Sequence, residues 1–112
     1  MDILNITLGF ANIIIGLIMI VLSIPLKKGL IKMNVFYGVR IPKSFDSEEN
    51  WYKINKYGAN RLILWAFPII VIGLIAFFIP FNENEVFLWI FSLAPLIVLI
   101  PTVEIILYAR KI

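Results

Sequence analysis

Apolar and polar positions divide this chain into three long uncharged runs and one polar interval. Ile3 to Leu26 covers 24 residues without a charge, Leu62 to Asn82 covers 21, and Val86 to Val103 covers 18. A helix rises about 1.5 Å per residue, so roughly 20 apolar residues cross a hydrocarbon layer about 30 Å thick. The pattern predicts an all-α integral membrane protein, one domain over residues 1–112 with three transmembrane helices. The helices are expected at about 3–26, 62–81 and 86–106, with a polar loop at 27–61. The spans use more than half the chain, which leaves no room for a soluble domain. A unit this small has little interior of its own, so homo-oligomerisation is a fair expectation.

The first run is not uniformly oily. Asn5, Gly9, Asn12, Gly16 and Ser23 recur at spacings of 4, 3, 4 and 7, which places them along one helical face. Small residues let helix backbones approach closely and Asn amides hydrogen-bond across helices in lipid, so this face reads as a packing seam. Ala66, Gly73, Ala76 and Pro80 form a similar face on the second span, where Pro68 is expected to bend the helix. Pro95 and Pro101 each remove a backbone donor and predict a kinked third helix. Glu104 borders the third span at the level where Arg61 enters the second, which makes an ion pair geometrically reasonable. Tyr108, one turn on, shares its face.

In the polar interval, Ile41 precedes Pro42 and is expected to be extended. Asp46 with Glu49 three residues later is a capping-box-like helix start. A helix from about Ser47 then runs into the second span. Trp51, Ile54, Asn55, Gly58 and Leu62 fall on one face, with Tyr52 and Lys56 on its flank. The expected shape is an amphipathic helix along the inner leaflet that turns up into the membrane.

The placement of charge adds a topology. Eight of the ten basic residues lie between Lys27 and Arg61, and Arg110 and Lys111 close the chain. The turn from Asn82 to Glu85 has no basic residue, and the N-terminus carries only Asp2. Lys and Arg in short loops stay cytoplasmic, so the N-terminus is expected outside the cell membrane and the loop and C-terminus inside. The first run lacks the basic n-region and cleavage site of a signal peptide. With no Cys and no His, thiol nucleophiles, disulfides, His bases and nearly all zinc, haem or iron–sulfur sites are excluded. No cofactor, metal or nucleic-acid partner is expected.

Two readings of the loop's chemistry stand side by side. Arg40 pairs with Glu48 or Glu49 and braces the extended arm against the helix, or Arg40, Glu48, Asn55 and Glu104 line a polar pocket at the cytoplasmic mouth. Any acid–base chemistry would fall to Glu. Asp46, Glu48 and Glu49 lack any dedicated cation-binding spacing. Function classes left open are an immunity or receptor protein, a small oligomeric transporter, and a membrane-embedded enzyme using the Arg–Glu–Asn cluster.

Tyr37-Gly38-Val39-Arg40-Ile41-Pro42, Ser47-Glu48-Glu49-Asn50-Trp51 and Asn55-Lys56-Tyr57-Gly58 together resemble the signature of the SdpI family. In that family the signature lies after one span and before two more, as here. The resemblance implies a multi-pass membrane protein of immunity or receptor type, whose partners are a toxic killing peptide or a transcriptional repressor. It makes Gly38, Arg40, Pro42, Ser47, Glu48, Trp51, Asn55 and Gly58 the candidate binding residues, with Glu104 added from its place in the third span. Ile41 stands where the family often has Thr, and Lys56 where it has Arg. The chain resembles the short stand-alone form, and larger members carry an extra N-terminal membrane region.

Overall fold

Each apolar run becomes helix in the computed structural model, which describes all residues 1–112. Helix α1 is Ile3–Lys27 and α2 is Glu48–Ala76. The third stretch comprises α3 (Glu85–Leu93), a 3-10 segment (Ala94–Val98) and α4 (Leu99–Ala109), and there are no strands. All three stretches are long and apolar enough to cross a membrane. The molecule is 53 Å in its longest dimension, against about 30 Å of hydrocarbon.

Close packing of α1 on α2 follows from the seam. Asn5, Gly9, Asn12, Gly16 and Ser23 are all buried, while Phe10, Ile14, Leu17 and Val21 face outward. On α2, Ala66, Gly73 and Ala76 are buried. A methyl group on Gly73 would lie 2.8 Å from the Gly9 carbonyl oxygen and 2.9 Å from the Ile13 nitrogen, so the two backbones touch there. Pro80 departs from the expected face. The helix ends at Ala76, which leaves Pro80 exposed in the following turn.

The asparagines of α1 complete the hydrogen bonding that prolines interrupt. In an α-helix the N–H of residue 80 would serve the carbonyl of residue 76, and that of 95 the carbonyl of 91, but Pro has no N–H. Asn5 Nδ2 donates to Ala76 O at 2.8 Å and to Ile79 O at 2.7 Å. Asn12 Nδ2 donates to Phe91 O at 3.1 Å as well as to Leu8 O at 2.9 Å. The third stretch breaks where the prolines predict, into α3, the 3-10 segment carrying Pro95, and α4 carrying Pro101.

The ends differ in charge. Asp2, Glu83 and Glu85 lie at one end, where Asp2 caps α1 through Leu4 N and Asn5 N and accepts from Asn82 Nδ2 at 2.8 Å. Lys27 ends α1 and Lys28 follows it, and Arg110 and Lys111 follow α4 at the same opposite end, beside the basic interval. At that end α2 runs as one continuous helix from Glu48 to Ala76, as the absence of a breaker after Ser47 predicts. Its first turns bury Trp51, Ile54, Asn55 and Gly58, with Leu62 half-buried, against the protein itself. Ile54 packs with Ile105 and Ala109 of α4 and with Val39 and Ile41 of the loop. The apolar face of these first turns is covered by α4 and the loop.

Candidate functional site

Residues 30–47 form an irregular arm that is fixed by hydrogen bonds from side chains. Asn34 organises its first half: Oδ1 accepts from Phe36 N at 2.9 Å and Tyr37 N at 2.7 Å, and Nδ2 donates to Lys32 O at 2.7 Å. The Tyr37 hydroxyl donates to Leu22 O and ties the arm to α1. Trp51, fully buried, donates its indole N–H to Ile31 O at 2.9 Å. Asn55, 1 % exposed, acts as a clamp, with Oδ1 accepting from Val39 N at 2.6 Å and Nδ2 donating to Trp51 O at 2.9 Å. Gly38 passes over this pair at φ +124°, where a side chain would stand 2.7 Å from Asn55 Oδ1 and 3.0 Å from the Trp51 ring. Only glycine takes that φ without strain, and only glycine fits the gap.

The arm's second half is set by Pro42 and Ser47. Ile41 is extended (φ −97°, ψ 160°), and Pro42 starts a 3-10 turn, Pro42–Phe45. Asn50 Nδ2 holds Lys43 O at 3.3 Å. Ser47, not Asp46, is the N-cap of α2, its hydroxyl accepting from Asn50 N at 3.0 Å. Asp46 closes the 3-10 turn. Glu48 and Glu49 occupy the first turn, where they complement the helix dipole.

Neither of the two arrangements expected for Arg40 forms. Arg40 is exposed, and its guanidinium bonds only to carbonyls of its own arm, Val35 O at 2.7 Å and Gly38 O at 3.4 Å. Glu49 pairs with Lys53 at 2.8 Å, and Glu48 has no ion pair. The reason is direction: Glu48 and Glu49 stand exposed on the first turn of α2, while the arm is gripped by the opposite, buried face of Trp51 and Asn55. Asp46, Glu48 and Glu49 do not gather into a metal-binding group.

Glu104 belongs to a separate construction. Arg61 grips it through two hydrogen bonds, at 3.0 and 2.5 Å, and the Trp65 indole donates at 2.8 Å. Tyr108 stacks on Tyr57 with ring centroids 4.1 Å apart. Both contacts join α4 to α2, as the Arg61–Glu104 level and the shared face of Tyr108 predict. No cavity is lined by Arg40, Glu48, Asn55 or Glu104, so the polar pocket is not assembled.

A different space opens beside the arm. A groove of about 570 Å³ runs between α1 and the arm, walled by Ile18, Leu22, Leu26, Phe36, Gly38 and Val39. Sequence reasoning missed Asn34, Tyr37 and Trp65 as organising residues. Asn34, two residues before Phe36, carried an Asx-turn signal. Tyr37 opens the signature but nothing local names its partner Leu22, and Trp65 carried no signal, because its partner is distant in sequence.

The chain belongs to the SdpI/YfhL protein family, whose sequence profile matches residues 30–107. The match begins at the arm and runs through α2 into α4. No curated protein and no solved structure matches the chain.

Proposed function

We propose that this SdpI-family membrane protein is an immunity or receptor-type protein whose arm captures a hydrophobic peptide or a partner segment ending in, or bearing, a carboxylate. The observation that carries the reading is Arg40: exposed, without an acidic partner, and held on an arm fixed by Asn34, Trp51 and Asn55. An arginine fork positioned in advance pairs with a carboxylate at low ordering cost. The apolar groove between α1 and Phe36–Val39 adjoins it and takes apolar side chains. Gly38, Pro42, Ser47, Trp51 and Asn55 shape and hold the arm, and Arg40 does the binding. The basic end faces the cytoplasm in this reading, by the charge rule for short loops. A membrane-embedded enzyme draws less support, because the residues of its Arg–Glu–Asn cluster lie apart, Arg40 and Glu48 exposed and Asn55 buried against Val39.

The test is photo-crosslinking in cells from position 36 at the groove, with Arg40 intact, Arg40→Ala or Arg40→Lys. A peptide or protein adduct that is lost in Arg40→Ala and weakened in Arg40→Lys is expected, with membrane insertion unchanged. Adducts only to lipid, or an adduct indifferent to residue 40, would overturn the reading.

A further inference from the structure

On the other flank of the arm, a second cleft of about 530 Å³ is lined by Ile41 and Pro42 of the arm and by Ile106 and Ala109 of α4. Its volume lies within the roughly 300–1,000 Å³ of small-molecule sites. Two cations stand at it, Lys43 and Arg110, and neither has an acidic partner within salt-bridge distance. Asp46 also lines it. Arg110 follows the last residue of α4, so the cleft lies where a spanning helix leaves the hydrocarbon, at the basic end of the molecule. Ile106, exposed on the outer side of α4, opens the apolar wall toward lipid.

We infer that this cleft is a site for one anionic phospholipid with a hydroxyl-bearing headgroup, such as phosphatidylglycerol. An acyl chain lies along Ile41, Pro42 and Ile106. The phosphate sits between Lys43 and Arg110, as in the basic pockets that hold lipid headgroups beside transmembrane helices. Asp46 accepts from a headgroup hydroxyl and disfavours a dianionic headgroup. The apolar wall requires a chain as well as a charge, which separates a lipid from free phosphate. Arg40 takes no part, so the site is independent of the function proposed above.

The test uses the full chain in nonionic detergent, with lipid retention read by native mass spectrometry and melting temperature measured alongside. Phosphatidylglycerol should be retained and should raise the melting temperature, whereas phosphatidylcholine and soluble glycerol phosphate should do neither. The double variant Lys43→Gln with Arg110→Gln should hold phosphatidylglycerol about tenfold more weakly or worse, given the contribution of each cation near an anionic headgroup. Lys28→Gln with Lys32→Gln removes the same charge from the same end, outside the cleft, and should leave retention nearly unchanged. Asp46→Asn should abolish any preference for phosphatidylglycerol over phosphatidic acid. Equal losses in the two double variants would reduce the effect to bulk attraction and overturn the site, as would retention of phosphatidylcholine. The melting temperatures without lipid show whether each variant is folded. If Lys43→Gln with Arg110→Gln is not, retention by the two single variants decides by the same criterion.

Discussion

Replacing Gly38 by alanine attacks the clamp that fixes the arm. Two costs add. The backbone sits at φ +124°, a region that residues with a Cβ enter at about 1–3 kcal/mol. The new methyl would also stand 2.7 Å from Asn55 Oδ1, so the amide must turn away and release Val39 N, which it holds at 2.6 Å. Losing that bond costs about 0.5–1.5 kcal/mol. The sum is roughly 1.5–4.5 kcal/mol. Gly29 supplies the internal control, since it also has positive φ, at +69°, but a methyl there meets only Tyr52 at 3.9 Å. Gly29→Ala should cost only the left-handed penalty of about 1–2 kcal/mol.

Equilibrium unfolding in mixed detergent micelles measures both variants, and Gly38→Ala should be the less stable. The double variant Gly38→Ala with Asn55→Ala separates the two costs. Removing the amide relieves the collision, so the double variant should lose less stability than the sum of the single changes. Equal losses for Gly38→Ala and Gly29→Ala, together with strict additivity in the double variant, would refute the clamp. A clamp of this kind also predicts faster proteolysis near Val39 in Gly38→Ala without wider unfolding.

At the α1–α2 contact, Gly73→Ala should destabilise by up to about 2 kcal/mol, a backbone collision of about 1–3 offset by about 1 of helix propensity. Gly9→Ala should be close to neutral, because the nearest atoms to its methyl belong to the Phe77 ring, at 2.6 Å, and that ring can swing away; thermal unfolding in detergent ranks the two, and the reverse order would show that the seam does not set the helix spacing. Asn12→Ala should cost about 1–3 kcal/mol by orphaning Phe91 O, and Pro95→Ala in the same chain should recover most of it by restoring a backbone donor. No recovery on the same unfolding curves would mean that Asn12 serves another purpose. Because the chain has no cysteine, single cysteines at the exposed positions Lys32 and Asn84 report topology by impermeant thiol labelling in whole cells. Position 84 should label and position 32 should label only after permeabilisation; the converse would invert the orientation.

Much of the fold was legible because lipid leaves a protein few options. Three uncharged runs had to be helices, since only an internally bonded backbone crosses hydrocarbon. The seam of α1 was readable from five small or polar residues at helical spacing, all of which are buried. The Arg61–Glu104 pair was readable from depth alone. What the pattern could not show was the arm. Its shape depends on side chains that bond backbone groups 15 to 20 residues away, as Tyr37 does with Leu22, Asn55 with Val39, and Trp51 with Ile31. Such partners leave no periodic trace. Charge complementarity suggested a pair between Arg40 and Glu48, yet the two face different ways. A surface pair would have been worth only about 0–1 kcal/mol, too little to steer an arm held by buried amides.

The signature residues therefore divide by what they touch. Gly38, Trp51, Asn55 and Ser47 touch the arm's backbone or the start of α2, and each has a structural reason to be the residue it is. Arg40 has none of comparable strength. Its two acceptors lie within five residues of it, on an exposed face, where water would serve the same carbonyls. A rigid arm costs conformational entropy to build, about 1–2 kcal/mol for each residue fixed. Bracing that ends in an exposed, unpaired arginine is poorly explained by stability, to which an exposed side chain adds little. It is well explained by binding, where an arm already ordered spares a ligand that same entropy. The grooves on either side of the arm fit this division: one lies between the α1 wall and Phe36–Val39, the residues that lead into Arg40, and the other lies against α4 with its own cations. In the proposed reading the arm's bracing is the means, and binding at its surface the end it serves.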